Sequence, residues 1–143
     1  MKKITSVILT LTIMFFQQNV FSQNIKKADP NAPKTVTVQI TQGISAMLTR
    51  KYNLQSVRTG TIGGNINIEL FDPHTNTIAK DLREKRAHEA AQMAKEFILS
   101  QPNGANMMKT VNLFEITFLK VPAGGITVPN NIIDEFSYKA GKL

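Results

Sequence analysis

Two histidines are the strongest candidates for acid–base or metal chemistry in this 143-residue chain. His88 begins the segment HEAAQ, which is close to the HExxH zinc motif, where two histidines four residues apart on a helix bind the metal. Gln92 occupies the position of the second histidine, and a glutamine is a poor substitute for an imidazole ligand. Because the chain has only two histidines and no cysteine, we predict neither a metal site nor a cofactor.

His74 and Ser45 are the other side chains that could catalyse a reaction. His74 lies close to Asp72, and a neighbouring carboxylate can orient a histidine that acts as a general base. A turn or capping role explains the same residues and is favoured. Ser45 lies in GISAM, which has the first glycine of a nucleophile elbow but a methionine in place of the second, so a helix-cap role is favoured. A small hydrolase that uses His74 or His88 is the alternative function.

Basic residues point to binding. The chain has 17 Lys and Arg against 10 Asp and Glu, a net charge of +7, and residues 23–60 carry most of the excess. Further cations crowd the first turns of a predicted long helix, where they oppose the helix dipole and an anion could offset them. An ordinary solvated face explains both groups more simply. The candidate binding residues are Arg50, Lys51, Arg58, Lys80, Arg83, Lys85 and Arg86.

Nucleic-acid binding is not expected from this composition. Single-stranded nucleic acids are bound by cations interleaved with exposed aromatic side chains. The chain has no Trp, and most of its Phe residues after position 22 occupy positions that the hydropathy pattern assigns to a core.

Residues 1–22 have the parts of a Sec-type signal peptide: a positive start, an apolar run at 4–16 and a polar break. The apolar run is shorter than the about 20 residues that a membrane-spanning helix needs. We therefore predict cleavage after Ser22 and a periplasmic or extracellular mature chain without a transmembrane span. Residues 23–34 contain two prolines and little apolar surface, which predicts a flexible tether.

Residues 35–121 are predicted to form a small single α+β domain. A helix at 77–101 is the clearest element, because its alanines gather on one side, where they permit close approach to a sheet. Alternating residues predict a strand at 65–71, and Gly63-Gly64 joins it to an extended segment at 54–62 as an antiparallel hairpin.

Residues 35–52 fit two patterns. The composition favours a strand to Thr41 and a helix from Ile44 to Tyr52, but one helix over the whole segment also fits. A further strand is predicted at 111–121, and residues 122–143 are predicted to contain an edge strand at 132–138 or a loosely docked tail. The predicted fold is thus a hairpin and further strand packed on one alanine-rich helix, with an additional N-terminal helix.

The shortage of catalytic groups favours a function in binding. We predict an exported, non-enzymatic interaction module of the bacterial cell envelope. Its partner is predicted to be a protein that meets a sheet edge or the 132–138 segment, or an anionic envelope polymer that meets the basic first third.

Overall fold

The computed structural model describes residues 35–122 and 129–143. The predicted signal peptide, residues 1–22, and the predicted tether, residues 23–34, lie outside the described residues. The helices and strands in chain order are α1 (Val38–Tyr52), β1 (Ser56–Ile62), β2 (Asn65–Phe71), α2 (Lys80–Leu99), α3 (Gly104–Met108), β3 (Leu113–Leu119) and β4 (Ile132–Lys139), with short 3₁₀ turns at Pro129–Asn131 and Ala140–Lys142.

The strands form one mixed sheet in the order β1-β2-β3-β4. β1 and β2 are antiparallel, β2 and β3 are parallel, and β3 and β4 are antiparallel. Parallel neighbours need a crossover connection, and α2 lies in that connection. The predicted α+β class is confirmed, whereas the parallel pairing was not part of the prediction.

The β1–β2 hairpin has the turn that its glycines predict. Gly63 has φ of 58° and Gly64 has φ of 84°, so both central residues adopt the positive φ that a type I′ turn requires. The turn pairs Ile62 with Asn65, and this register sends alternate residues of β2 toward the core.

One face of the sheet carries the core and is covered by the helices. α1 contacts β1, and α2 contacts β3 and β4. Of the alanines predicted to face the sheet, Ala87, Ala90, Ala91 and Ala94 are fully buried on α2, whereas Ala79 is exposed just before the helix begins. The four buried alanines confirm that small side chains bring this helix close to the sheet. The largest buried side chains on the strands are Ile66, Ile68, Leu70, Phe114, Ile116 and Phe118.

The favoured strand at 35–41 is wrong, because α1 already begins at Val38. Ile40, Ile44 and Leu48 are all buried against the sheet, and this helical spacing outweighs the β-branched composition. The Thr41 hydroxyl donates to the Val38 carbonyl at 2.9 Å, which satisfies a buried polar group inside the helix. α1 ends at Tyr52, as predicted, and the next residue, Asn53, has a left-handed conformation with φ of 51°.

The corner between α2 and α3 depends on Asn103 and Gly104. The left-handed residue is Asn103, with φ of 62°, and Gly104 has no positive φ. Gly104 is instead required by close packing, since a Cβ there would lie 2.2 Å from the Ile98 carbonyl oxygen. The glycine therefore allows the chain to turn tightly against the end of α2.

The C-terminal segment contains the predicted edge strand, β4, and not the alternative of a loosely docked tail. β4 pairs with β3 in a regular register that places Asp134 opposite Phe118, and an irregularity between Phe118 and Leu119 then brings Leu119 opposite Ile132. Asp134 consequently lies on the helix-covered face. Within the described ranges, no helix combines the length and the apolar character needed to cross a membrane.

Candidate functional site

A groove of about 490 Å³ lies between α1 and α2. The two helices pack side by side on the same face of the sheet, α1 over β1 and α2 over β3 and β4. We call this space the α1–α2 groove. Its lining residues are Gly43, Ala46, Met47, Arg50, Lys51, Met93 and Phe97.

Helical spacing brings the apolar lining residues together. Gly43 and Met47 are four residues apart on α1, and Met93 and Phe97 are four residues apart on α2, so each pair lies on one helix face. The two methionines and the phenylalanine are only partly buried. The Phe97 ring lies over Gly43, where a Cβ would come within 2.5 Å of Cζ. Glycine at this position therefore lets the ring form part of the wall.

The charged lining residues are both cationic. Arg50 and Lys51 are exposed in the last turn of α1, where cations interact favourably with the helix dipole. Lys51 Nζ lies 3.9 Å from Glu89 Oε1, and both side chains are about half exposed, at 52% and 48%; such a surface ion pair is weak. Arg50 has no hydrogen bond or ion pair with any residue of 35–122 or 129–143.

Tyr52 joins the two helices beside the groove. The Arg86 guanidinium carbon lies 5.2 Å from the centre of the Tyr52 ring, within the range of a cation–π contact. The Tyr52 hydroxyl lies 3.9 Å from Met93 Sδ. Burial raises the pKa of Tyr52, and the hydrogen bond and charge of Glu89 raise it further, with Arg86 acting in the opposite direction. The phenol is therefore held neutral where α1 meets α2.

The seven predicted basic residues do not form one cluster. Arg50 and Lys51 line the groove, and Arg86 stacks on Tyr52. Lys80 and Lys85 are exposed on α2. The remaining two residues, Arg58 and Arg83, are each held by a carboxylate.

Arg83 links α2 to the preceding loop and to β4. Its Nε donates to Asp134 Oδ2 at 2.5 Å, and the two side chains are 11% and 14% exposed. Its Nη1 donates to the carbonyl oxygens of Thr75 and Ile78. The guanidinium thus ties the β2–α2 loop to the edge strand.

Arg58 lies on the face of the sheet opposite the helices. Its guanidinium makes a bidentate contact with Glu69, with Nε 2.7 Å and Nη2 2.9 Å from the two carboxylate oxygens. The two residues are also paired in the β1–β2 register. Arg58 therefore supports the hairpin and does not join the cations of the groove lining.

The residues considered for catalysis have local structural roles. The Asp72 carboxylate accepts the His74 backbone N–H at 2.8 Å, which closes a turn, as favoured from the sequence. The predicted cap role of Ser45 is wrong: Ser45 lies inside α1 and donates to Thr59 Oγ1 on β1 at 2.9 Å. The His88 ring packs edge-on against Tyr138 with centroids 5.2 Å apart. Among the residues that the structure describes, no three His, Asp or Glu side chains form a possible metal site.

Two other depressions differ in character from the α1–α2 groove. One, of about 440 Å³, crosses the face of the sheet opposite the helices and is lined partly by Glu69, Glu115 and Glu135. The other, of about 420 Å³, lies near the hairpin turn and has threonine and small apolar side chains in its walls. Neither combines a continuous apolar wall with charges of one sign.

The α1–α2 groove was not predicted from the sequence, although Arg50 and Lys51 were among the candidate residues. The sequence signal for this groove was the helical spacing of Met47, Met93 and Phe97 relative to neighbouring residues. The same spacing is expected of side chains buried in a core, so it does not indicate a groove. Comparison of the chain with protein-family models, with curated proteins and with solved structures finds no match.

Proposed function

We propose that the mature chain is an exported, non-enzymatic interaction module of the bacterial cell envelope that binds a protein partner in the α1–α2 groove. The observation that carries this proposal is the open wall formed by Met47, Met93 and Phe97 beside two cations. Export is supported by the charged start, apolar run and polar break of residues 1–22.

The composition of the wall suits a protein partner. Isolated apolar side chains are common on surfaces and need no explanation. Here three large ones, Met47, Met93 and Phe97, line the same concavity. Unbranched methionines can adapt to the shape of a partner, and covering the wall would gain about 25 cal/mol for each Å² of apolar surface removed from water.

An anionic polymer is less well supported as the partner. Polymer binding would need a continuous row of available cations. Arg58 and Arg83 already contact carboxylates, and Arg86 stacks on Tyr52. The same distribution gives no support to nucleic-acid binding, which needs cations together with exposed aromatic side chains.

Site-specific photocrosslinking tests the proposed groove. We expect a benzoylphenylalanine at Ala46, an exposed lining residue, to give a discrete protein adduct in envelope extract. The same group at Val38, 66% exposed on α1 but outside the lining, is the matched control. Met93→Glu should abolish the adduct at position 46, because it places a charge in the apolar wall. The proposal is wrong if position 46 gives no adduct or the same adducts as position 38.

The alternative of a small hydrolase using His74 or His88 has less support. The Asp72 carboxylate is engaged by the His74 backbone N–H, and the His88 ring packs on Tyr138. The discriminating comparison is hydrolytic activity of the purified mature chain against that of a His74→Ala/His88→Ala double variant. Activity that disappears in the double variant would replace the binding proposal with the hydrolase.

A further inference from the structure

We infer that the segment bound in the α1–α2 groove is an amphipathic helix with acidic residues at one end, which contact Arg50 and Lys51. This inference rests on the proposed function and specifies the chemistry of the partner. It is carried by the charge of the lining, by the length of the groove and by the absence of a strand edge among the lining elements.

The groove has a net positive end. Its charged lining residues are Arg50 and Lys51, and of these two cations Lys51 alone lies near Glu89, with Nζ 3.9 Å from Oε1. The C-terminus of α1 contributes about half a negative charge. The negative charge of Glu89 and the partial charge of the helix end together are smaller than the two positive charges of Arg50 and Lys51. Carboxylates on a partner would complement the remaining charge and would discriminate against basic partners.

The groove has the length of a short helical recognition site. Gly43 and Lys51 are the first and last lining residues on α1, and eight residues of helix rise about 12 Å. This span matches about two turns of a bound helix, whose apolar anchors recur at i, i+3 or i+4, and i+7.

The lining elements favour a bound helix over an extended strand. Both walls are helices, so most of their backbone hydrogen-bonding groups are already paired within each helix. An extended peptide would find no strand edge there to pair with its own N–H and C=O groups. A helical segment satisfies those groups internally and needs only side-chain contacts.

Two synthetic helical peptides test this inference. Both carry leucines at i, i+4 and i+7; one has a pair of glutamates at one end and the other a pair of lysines. We expect the acidic peptide to bind the mature chain about tenfold more tightly by fluorescence anisotropy at low ionic strength. An Arg50→Glu/Lys51→Glu variant should reverse the preference, and added salt should reduce it.

A second double charge reversal distinguishes an effect of the groove lining from an effect of the net charge of the protein. Lys80→Glu/Lys85→Glu changes the net charge by the same amount at exposed positions outside the groove lining. We expect this variant to retain most of the preference for the acidic peptide. The inference is overturned if neither peptide binds, if the two bind equally, or if both double variants change the preference alike. An adduct at Ala46 together with any of these results would leave the proposed function standing without the acidic helix.

Discussion

At the scale of single residues, Tyr52 connects the groove to the stability of the helix pair. Its ring lies under Arg86, and its hydroxyl lies near Met93. Burial and Glu89 raise its pKa above the ordinary value of 10.0. Burial also raises the pKa of Tyr138, with a smaller contribution from Glu84. The folded chain therefore favours the neutral form of both phenols.

The raised pKa of Tyr52 predicts a loss of stability at alkaline pH. Below about pH 10 the phenol is protonated in both the folded and the unfolded chain, so its contribution to stability is fully present. Above that pH the unfolded chain loses the proton first, and the free energy of unfolding falls as pH rises. We expect Tyr52→Phe to make this fall shallower in urea denaturation measured from about pH 9 to pH 11.

The chain has two tyrosines and no tryptophan, so tyrosinate absorbance gives an independent measurement. The folded wild-type chain should titrate above the usual tyrosine range, and Tyr52→Phe should remove the higher-titrating component. Identical pH slopes for the wild type and Tyr52→Phe would contradict the prediction. Tyr138→Phe serves as the control for the second phenol.

Arg83 and Arg86 lie one turn apart on α2 and should differ in their effect on stability. Arg83→Ala leaves the Asp134 carboxylate and the Ile78 carbonyl without their donor, which should lower the free energy of unfolding by about 2 to 4 kcal/mol. Arg86→Ala loses a partly exposed contact with Tyr52 and should cost about 0.5 to 1 kcal/mol. Chemical denaturation of both variants measures the difference, and equal losses would refute the structural role of Arg83.

At the scale of elements, the alanine stripe determines how close α2 lies to the sheet. Ala87, Ala90, Ala91 and Ala94 are all 0% exposed. Their small side chains bring the backbone of α2 near the strands, and the partly buried side chains toward α1 then form a wall of the groove. The packing that stabilises the helix thus also positions Met93 and Phe97.

Ala91→Arg tests this packing. It places a charge with no prepared partner against the sheet and should lower the free energy of unfolding by several kcal/mol. Gln92→Arg introduces the same side chain at the next position, which is exposed, and should change stability by less than about 0.5 kcal/mol. Thermal and chemical denaturation compare the two variants. Unchanged stability of Ala91→Arg would refute the close packing of α2.

At the scale of the whole molecule, the sheet has two different faces. The helices cover the face that carries Ile66, Ile68, Phe114 and Ile116, while the other face carries polar residues such as Asn67. The α1–α2 groove therefore lies in the layer of helices and not on the polar face of the sheet.

Export can be tested on the full-length chain. We expect the exported protein to begin at Gln23, because the polar break and small residue before that position fit signal-peptide cleavage. Intact mass of the protein recovered from the envelope or the medium measures this directly. Retention of residues 1–22, or recovery from the cytosol alone, would contradict the prediction.

The sequence by itself determined the elements that depend on local signals. Gly63-Gly64 predicted the hairpin because adjacent glycines readily adopt positive φ. The alternation at 65–71 predicted β2 with the same bounds that the structure shows. The alanine stripe predicted the buried face of α2, which is shorter by a few residues at each end than the predicted helix.

Tertiary structure decided everything that depends on contacts between distant parts of the chain. Residues 35–41 fit two periods, and burial of Ile40 together with Ile44 and Leu48 selected the helix. The parallel pairing of β2 with β3, the contact of Arg83 with Asp134 and the groove between residues 43–51 and 93–97 have no local signature. Local patterns specify which face of an element is apolar, but only packing specifies which two faces meet and what space is left between them.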